Sequence, residues 1–158
     1  MPERLPCLIR YATERDVPQL WQMMREIAII EHYFHRFQLT EERIRLQGFV
    51  KDPPDFYALV AENVFTKQLV AMAVYYFIPF SVAGAPLLFL KDLYVREPLR
   101  GKGLGKALLA TVMREARQKG CISVRWSVPR WNKEGIGFCQ YLGYNPDNQW
   151  LQFEALTS

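Results

Sequence analysis

Hydrophobic and polar positions repeat with two periods along the chain, and these periods predict the order of its elements. Apolar residues at three-to-four spacing predict a helix after residues 13–16, then helices near residues 40–49, 104–119 and 136–142. Short apolar or alternating runs predict strands at residues 8–12, 56–62, 69–77, 87–95, 122–128 and 150–155. This order predicts an α/β fold, in which a mixed sheet carries helices on both faces.

The apolar stripes of two helices define the predicted core. In the first helix the stripe holds six residues: Val17, Leu20, Trp21, Met24, Ile27 and Ala28. In the third helix it holds four: Leu104, Leu108, Val112 and Ala116. Thr13 and Thr40 are the predicted N-caps of the first two helices. Because the other faces are polar, each helix is expected to pack one side against the sheet.

Length and composition narrow the class of protein. With 158 residues and 50% hydrophobic content, residues 1–158 are expected to form a single globular domain. The longest apolar runs are too short to span a bilayer, and the N-terminus lacks an apolar signal segment. We therefore expect a cytoplasmic protein with no membrane partner. The three cysteines show no paired spacing, which argues against a disulfide scaffold or a zinc site and favours reduced thiols.

The net charge of +4 arises from 20 basic against 16 acidic residues. Much of the basic excess falls between Arg96 and Arg130, instead of being spread with aromatic residues along a groove. Nucleic acid is therefore not the expected partner. A phosphate group of a cofactor is the better candidate for the anion.

A glycine-rich turn between the strand at residues 87–95 and the following helix is the strongest local signal. It reads Arg100, Gly101, Lys102, Gly103, Leu104, Gly105 and is followed by Lys106. Glycines allow close approach of backbone N–H groups to a ligand, and a helix start adds unpaired donors and partial positive charge. The turn is therefore predicted to bind an anion such as pyrophosphate.

Two other phosphate-binding motifs are excluded by the same residues. The Gly-Lys-Ser/Thr ending of a P-loop is missing, and the glycine spacing is wrong for a dinucleotide fingerprint. A turn that only links a strand to a helix remains the alternative at this point.

The run from Arg100 to Gly105 resembles the Arg/Gln-x-x-Gly-x-Gly/Ala pattern of the GCN5-related N-acetyltransferases (GNAT). Residues 90–95 and 131–139 are similar to patterns of the diamine (spermidine/spermine) acetyltransferase branch of that family. The resemblance implies the GNAT fold, with a mixed and mostly antiparallel sheet. It also implies acetyl-CoA as the cofactor, bound at the glycine-rich turn.

The resemblance further implies direct acetyl transfer to a primary amine, without a covalent enzyme intermediate. Backbone N–H groups of Tyr94 or Val95 would then stabilise the thioester carbonyl, with Leu93 in the same cofactor-binding strand. Asn132 would contact the cofactor arm. The amine must lose a proton and the departing sulfur must gain one or be stabilised.

Two positions depart from the branch where it places its acid and base. Lys91 stands where a carboxylate is expected, and Cys139 where a tyrosine is expected. Cys139, Lys91 and Asp92 are the candidate catalytic residues, with the thiol as the better proton donor to a departing thiolate. A surface role for Lys91 and a packing role for Cys139 are equally open.

The resemblance also assigns residues to the amine substrate. Glu31, His32 and Asp92 are the candidate substrate-binding residues, and His32 is also a possible proton acceptor. His32 and His35 have the spacing of a metal pair, but no third ligand accompanies them, so no metal site is predicted.

The sequence therefore predicts an acetyl-CoA-dependent N-acetyltransferase acting on a small amine, such as a diamine, polyamine or lysine-like compound. Two alternatives remain: a non-catalytic acyl-CoA-binding or sensing protein, and a protein N-acetyltransferase. A homodimer is expected from the resemblance and from the aromatic-rich segment at residues 144–153.

Overall fold

The computed structural model describes residues 6–157. They group into two units, one ending at Ser127 and one beginning at Val128. The strands of the first unit, in chain order, are β1 Cys7–Tyr11, β2 Tyr57–Asn63, β3 Leu69–Ile78, β4 Leu87–Val95 and β5 Val124–Trp126. Its helices are α1 Val17–Ile30, α2 Glu41–Arg45, which continues as a π-helical turn Leu46–Val50, and α3 Leu104–Gln118.

The five strands form one sheet in the order β1-β2-β3-β4-β5. Neighbouring strands are antiparallel, except that β4 and β5 are parallel. The predicted mixed, mostly antiparallel sheet is therefore confirmed.

Opposite faces of the sheet pack against different helices. Val60 and Met72 belong to a buried cluster with residues of α1 and α2. Tyr75 lies on the other face, where its hydroxyl is 3.4 Å from Glu115 of α3. Because successive strand residues point to opposite faces, β2 and β3 are buried on both sides and read as nearly continuous apolar runs.

The predicted core stripes are buried, with one exception. Trp21 is only partly buried, and its Nε1 donates a 2.8 Å hydrogen bond to the Leu39 carbonyl. Met23, which the stripe omits, is fully buried. Thr40 caps α2 as predicted, since its hydroxyl oxygen accepts from the Arg43 N–H at 3.1 Å.

Strand β4 contains a bulge that determines the shape of its end. Val74 of β3 lies opposite Asp92 and the next residue, Tyr75, opposite Leu90, so Lys91 is the extra residue. On its other side, β4 pairs with β5 only from Leu88 to Leu90. Past Leu90, β4 therefore has β3 as its only strand partner among the described residues.

Near the C-terminus one strand prediction is wrong and another is correct in place but too long. No strand forms at residues 150–155, and β5 is three residues long instead of covering residues 122–128. Trp150, Leu151 and Phe153 are 71% to 88% exposed. Strand propensity alone does not make a strand, because the backbone needs a neighbouring strand with which to exchange hydrogen bonds.

The second unit contains the helix α4 Lys133–Tyr141. It begins three residues earlier than the predicted residue 136, because the Asn132 side chain caps it. The Asn132 Oδ1 accepts a hydrogen bond from the Gly135 N–H at 2.9 Å.

Candidate active site

The turn between β4 and α3 has the backbone conformation that glycine favours. Gly101 and Gly103 have φ values of 78° and 85°, in the left-handed region where a Cβ is strained. Gly103 is the N-cap of α3, whose first turn contains no acidic residue. Lys102 and Lys106 are exposed. Because the first N–H groups of a helix have no partner within it, the turn presents donors and positive charge together.

Arg100 connects this turn to strand β4. Its Nε donates a 2.9 Å hydrogen bond to the Val95 carbonyl, and its Cζ lies 5.7 Å from the centre of the Tyr94 ring. Leu104 is buried and anchors the first turn of α3, and Gly105 is the second residue of that helix. The basic charge, the glycine backbone and the helix start together fit an anionic group such as a pyrophosphate.

The hydrogen-bond ladder of β4 determines which of its N–H groups are directed away from β3. The Arg96 N–H donates to a β3 carbonyl at 2.9 Å. Because such groups alternate along an antiparallel ladder, the Tyr94 N–H also faces β3, whereas those of Leu93 and Val95 face away from it. Of the two N–H groups predicted to donate to the thioester carbonyl, that of Val95 faces away from β3 and that of Tyr94 faces β3; the role of each stays a prediction.

The Tyr94 side chain is part of the core. The residue is 8% exposed, and its hydroxyl donates a 2.6 Å hydrogen bond to Glu26, which also forms an ion pair with Arg96. Burial, followed by the bond to Glu26, raises the pKa of Tyr94 to about 12. Its side chain therefore has a structural explanation that needs no cofactor.

Lys91 and Asp92 form an ion pair at the bulge of β4. Lys91 Nζ lies 3.0 Å from Asp92 Oδ2, and the two side chains are 50% and 5% exposed. The bulge thus places a buried carboxylate and a half-exposed ammonium side by side, where β4 no longer pairs with β5.

Glu31, which follows the last residue of α1, interacts electrostatically with both members of this pair. Burial, followed by the negative charge of Asp92, raises the pKa of Glu31 above its ordinary value of 4.5, although Lys91 acts in the opposite direction. Burial and the charges of Asp92 and Glu31 also raise the pKa of the Tyr33 phenol. We call Glu31, Tyr33, Lys91 and Asp92 the acceptor cluster.

The acceptor cluster brings together three predicted residues, Glu31, Lys91 and Asp92, and adds Tyr33. Sequence reasoning missed Tyr33, although its position two residues after Glu31 could have indicated it. His32 lies between them with an exposed side chain and an unusual φ of 62°. Its role as a substrate ligand or proton acceptor stays a prediction.

Two further predicted residues belong to the second unit. Asn132 caps α4 through its side-chain oxygen, as described above. Cys139 lies on α4, is partly buried, and its carbonyl accepts a hydrogen bond from the Tyr144 N–H at 3.0 Å. Tyr141, the neighbouring phenol on this helix, is 83% exposed. The catalytic role of Cys139 stays a prediction.

A cavity of about 490 Å³ lies away from these residues. Its lining includes the aromatic side chains of Tyr11, Phe56, Tyr57 and Phe77, with Glu115 among its polar groups. None of the predicted site residues lines it.

Residues 6–157 offer neither a metal site nor a membrane-spanning helix. This part of the chain shows no group of three or more His, Cys, Asp or Glu side chains arranged for a metal ion. None of its helices is both long enough and apolar enough to cross a bilayer.

Comparison with known proteins places the chain in a family. Residues 21–144 match the model of the acetyltransferase (GNAT) family. Mouse thialysine N-epsilon-acetyltransferase is 33% identical over 154 residues, which cover 92% of this chain and 89% of that protein. Human spermidine/spermine N(1)-acetyltransferase-like protein 1 is 31% identical over 135 residues, which cover 82% of this chain and 19% of the human protein.

A solved structure of an acetyltransferase has a fold similar to that of this chain. An aminoglycoside acetyltransferase from an uncultured soil metagenomic sample has a TM-score of 0.79 to this chain at 18% identity, with 97% of each chain covered. The family match and the mouse and human relatives confirm the predicted branch and the predicted acetyl-CoA-dependent amine N-acetyltransferase activity. The chain therefore belongs to the acetyltransferase (GNAT) family.

Proposed function

We propose that this acetyltransferase acetylates the primary amine of a small molecule at the acceptor cluster. The observation that carries the proposal is the Lys91–Asp92 ion pair together with the half-buried Glu31, whose carboxyl group interacts electrostatically with both. The excess negative charge attracts a protonated amine. The relatives support this class of acceptor, because thialysine, spermidine and spermine, which their names specify, all carry primary amines.

The glycine-rich turn supplies the residues that would hold the cofactor. Acetyl-CoA, when bound, supplies the acetyl group as an activated thioester. The N–H groups at the start of α3, together with Arg100, Lys102 and Lys106, are the proposed partners of its pyrophosphate. Leu93 and Val95 are the proposed backbone donors to a carbonyl oxygen, and Asn132 is a proposed contact of the cofactor arm.

Proton transfer is assigned to side chains with suitable chemistry. Glu31 is the proposed acceptor of the amine proton, because a raised pKa makes a carboxylate a stronger base. Asp92 is proposed to bind the ammonium form before that transfer. Lys91 pairs with Asp92 as a cation, which fits a charge-balancing role better than that of a base. Cys139 remains the proposed proton donor to the leaving sulfur.

The proposal treats residues 1–158 as one catalytic domain, since the family match crosses from the first unit into the second. It also includes a homodimer and a cytoplasmic location. The strongly exposed Trp150, Leu151, Phe153 and Leu156 support a partner surface at the C-terminal end. Use of acetyl-CoA, an intracellular metabolite, supports the cytoplasm.

A matched pair of glycine variants and an amine panel test the proposal. Gly103→Asp is expected to weaken acetyl-CoA binding at least about a hundredfold, because it adds a carboxylate at a site built for an anion. Gly84→Asp is the control, since Gly84 has a similar φ of 68° in an exposed loop. Calorimetry measures the affinity, and release of coenzyme thiol measures turnover of each amine.

Three results would overturn parts of this proposal. Equal acetyl-CoA affinities for Gly103→Asp and wild type would remove the cofactor assignment. Tight binding of acetyl-CoA without turnover of any amine in the panel would favour the sensing protein. Acetylation of peptides in preference to small amines would favour a protein acetyltransferase.

A further inference from the structure

Lys91 places a fixed positive charge inside the site that attracts the acceptor. Its ammonium lies 3.0 Å from Asp92, which is almost fully buried, while the lysine side chain itself is half exposed. Because Lys91 is the extra residue of the β4 bulge, its place beside Asp92 follows from the strand register.

The ionised acceptor cluster has a formal charge of minus one. Glu31 and Asp92 contribute two negative charges, and Lys91 removes one of them. Tyr33, which interacts with both carboxylates, is neutral at physiological pH, as any phenol is, and its raised pKa keeps it neutral at higher pH as well. One ammonium group of a substrate is therefore enough to neutralise the cluster.

Lys91 would then attract or repel a second charged group on the substrate, according to the sign of its charge. A second ammonium finds no uncompensated carboxylate in the cluster and is repelled by the lysine. A carboxylate on the same substrate would instead be attracted to the half-exposed lysine ammonium. Charge interactions of this kind act over several ångströms and are weakened by salt.

We propose that Lys91 is the specificity-determining residue of the acceptor site, and that it selects primary amines with a remote carboxylate over diamines and polyamines. This inference rests on the proposed function of the acceptor cluster. It identifies ω-amino acids as the acceptor class. On this inference, Lys91 stands in place of the carboxylate that the resemblance leads us to expect because it determines the choice of substrate, and it is not a catalytic defect.

Three amines of equal chain length isolate the effect of the remote charge: 5-aminopentanoate, n-pentylamine and cadaverine. For the wild type we expect kcat/KM to decrease in that order, with about tenfold or more between the first and the last. Lys91→Gln should bring the three values closer together. Lys91→Glu should reverse the order, so that cadaverine becomes the best acceptor by about tenfold, and added salt should reduce every ratio.

Lys67→Glu is the matched control, because it changes the net charge equally on the exposed connection between β2 and β3. It should leave the order of the three amines unchanged. Calorimetric binding of the same amines to protein without acetyl-CoA provides a second readout, and it should show the same order and the same reversal. Thermal unfolding verifies that each variant is folded.

The outcomes separate this inference from the proposed function. Turnover of all three amines with an order that Lys91→Glu does not change would overturn the role of Lys91 alone. Charge-ordered binding without any turnover would overturn the proposed catalysis and support the role of Lys91. If cadaverine is the best acceptor of the wild type, or if none of the amines binds, the inference is wrong.

Discussion

Two groups of charged side chains in this structure each combine one cation with two carboxylates, but only one group is internally satisfied. In the first, Arg10 donates to both oxygens of Asp16 at 2.7 and 2.9 Å and from Nε to Glu62 at 3.1 Å. Burial raises the pKa of Asp16, but hydrogen bonds from Arg10 and Thr13 more than offset it and hold the pKa below its ordinary value of 3.8.

The acceptor cluster has the same formal charges, but its cation makes fewer contacts with its carboxylates. Lys91 contacts one oxygen of Asp92, and none of the described residues donates a hydrogen bond to the Glu31 carboxylate. The pKa of Glu31 is raised because burial and Asp92 disfavour its charged form. A guanidinium fork can serve two carboxylates at once, whereas a lysine ammonium acts as a point charge.

The contrast supports our proposal that the acceptor cluster binds a ligand, whereas the Arg10 group has a structural explanation. In the Arg10 group the guanidinium donates hydrogen bonds to both carboxylates, so each of its charged side chains has a partner within the chain. In the acceptor cluster the cation contacts only Asp92, and the charge of the Glu31 carboxylate is left for an external ammonium to satisfy. Perturbed carboxyl groups of this kind are concentrated at functional sites.

The largest expected effect is on stability, from Arg10→Gln. This change leaves the buried Asp16 and its neighbour Glu62 without their cation, and we expect a loss of about 3 kcal/mol in the free energy of unfolding. Lys91→Gln is the matched change in the acceptor cluster, and its loss should be smaller, because the half-exposed Lys91 makes a single contact with Asp92 whereas Arg10 donates to both oxygens of Asp16. Urea denaturation at pH 7 measures both values.

The difference in unfolding free energy between wild type and Arg10→Gln should depend on pH through the pKa of Asp16. A depressed pKa means that its contribution to stability is present above the ordinary value of 3.8 and is lost as pH falls through the lower native value. The stability gap between wild type and Arg10→Gln should therefore narrow as the pH falls from about 4 towards about 2. A gap that is constant over this range would show that Arg10 acts through packing alone.

The next effect concerns activity. Asp92→Asn removes the buried charge that we assign to amine binding, and kcat/KM should fall about a hundredfold with little loss of stability. Asp55→Asn is the control, since Asp55 is paired with Lys51 at 2.6 Å on the surface. If Asp92→Asn unfolds the protein as readily as Arg10→Gln, or leaves kcat/KM unchanged, the contrast between the two groups does not hold.

The parts of the molecule with strong local signals could be predicted from the sequence. Strand β4 has the predicted bounds, because its apolar run is preceded by a proline-containing loop. The turn from Arg100 to Gly105 could also be located, since glycines and basic residues at a helix start are a local pattern. Glu31 and Asp92 were identified by family resemblance, and only the fold brings them together.

The remaining features depend on partners that are distant in sequence. The bulge at Lys91 is a property of the register with β3, which a single strand does not encode. The direction of the Tyr94 N–H follows from the same register. The exposed segment at residues 150–155 has an apolar composition, but strand formation requires a neighbour that its own sequence cannot provide.

The smallest effect gives the most direct test of the central claim, that the acceptor cluster binds the amine. The carbon-13 resonance of the Glu31 side-chain carboxyl, followed by NMR as a function of pH, reports its pKa in the folded protein. Without ligand the pKa should lie above 4.5. With saturating n-pentylamine it should fall, because a nearby ammonium favours the carboxylate. The same Glu31 pKa with and without the amine would contradict the account.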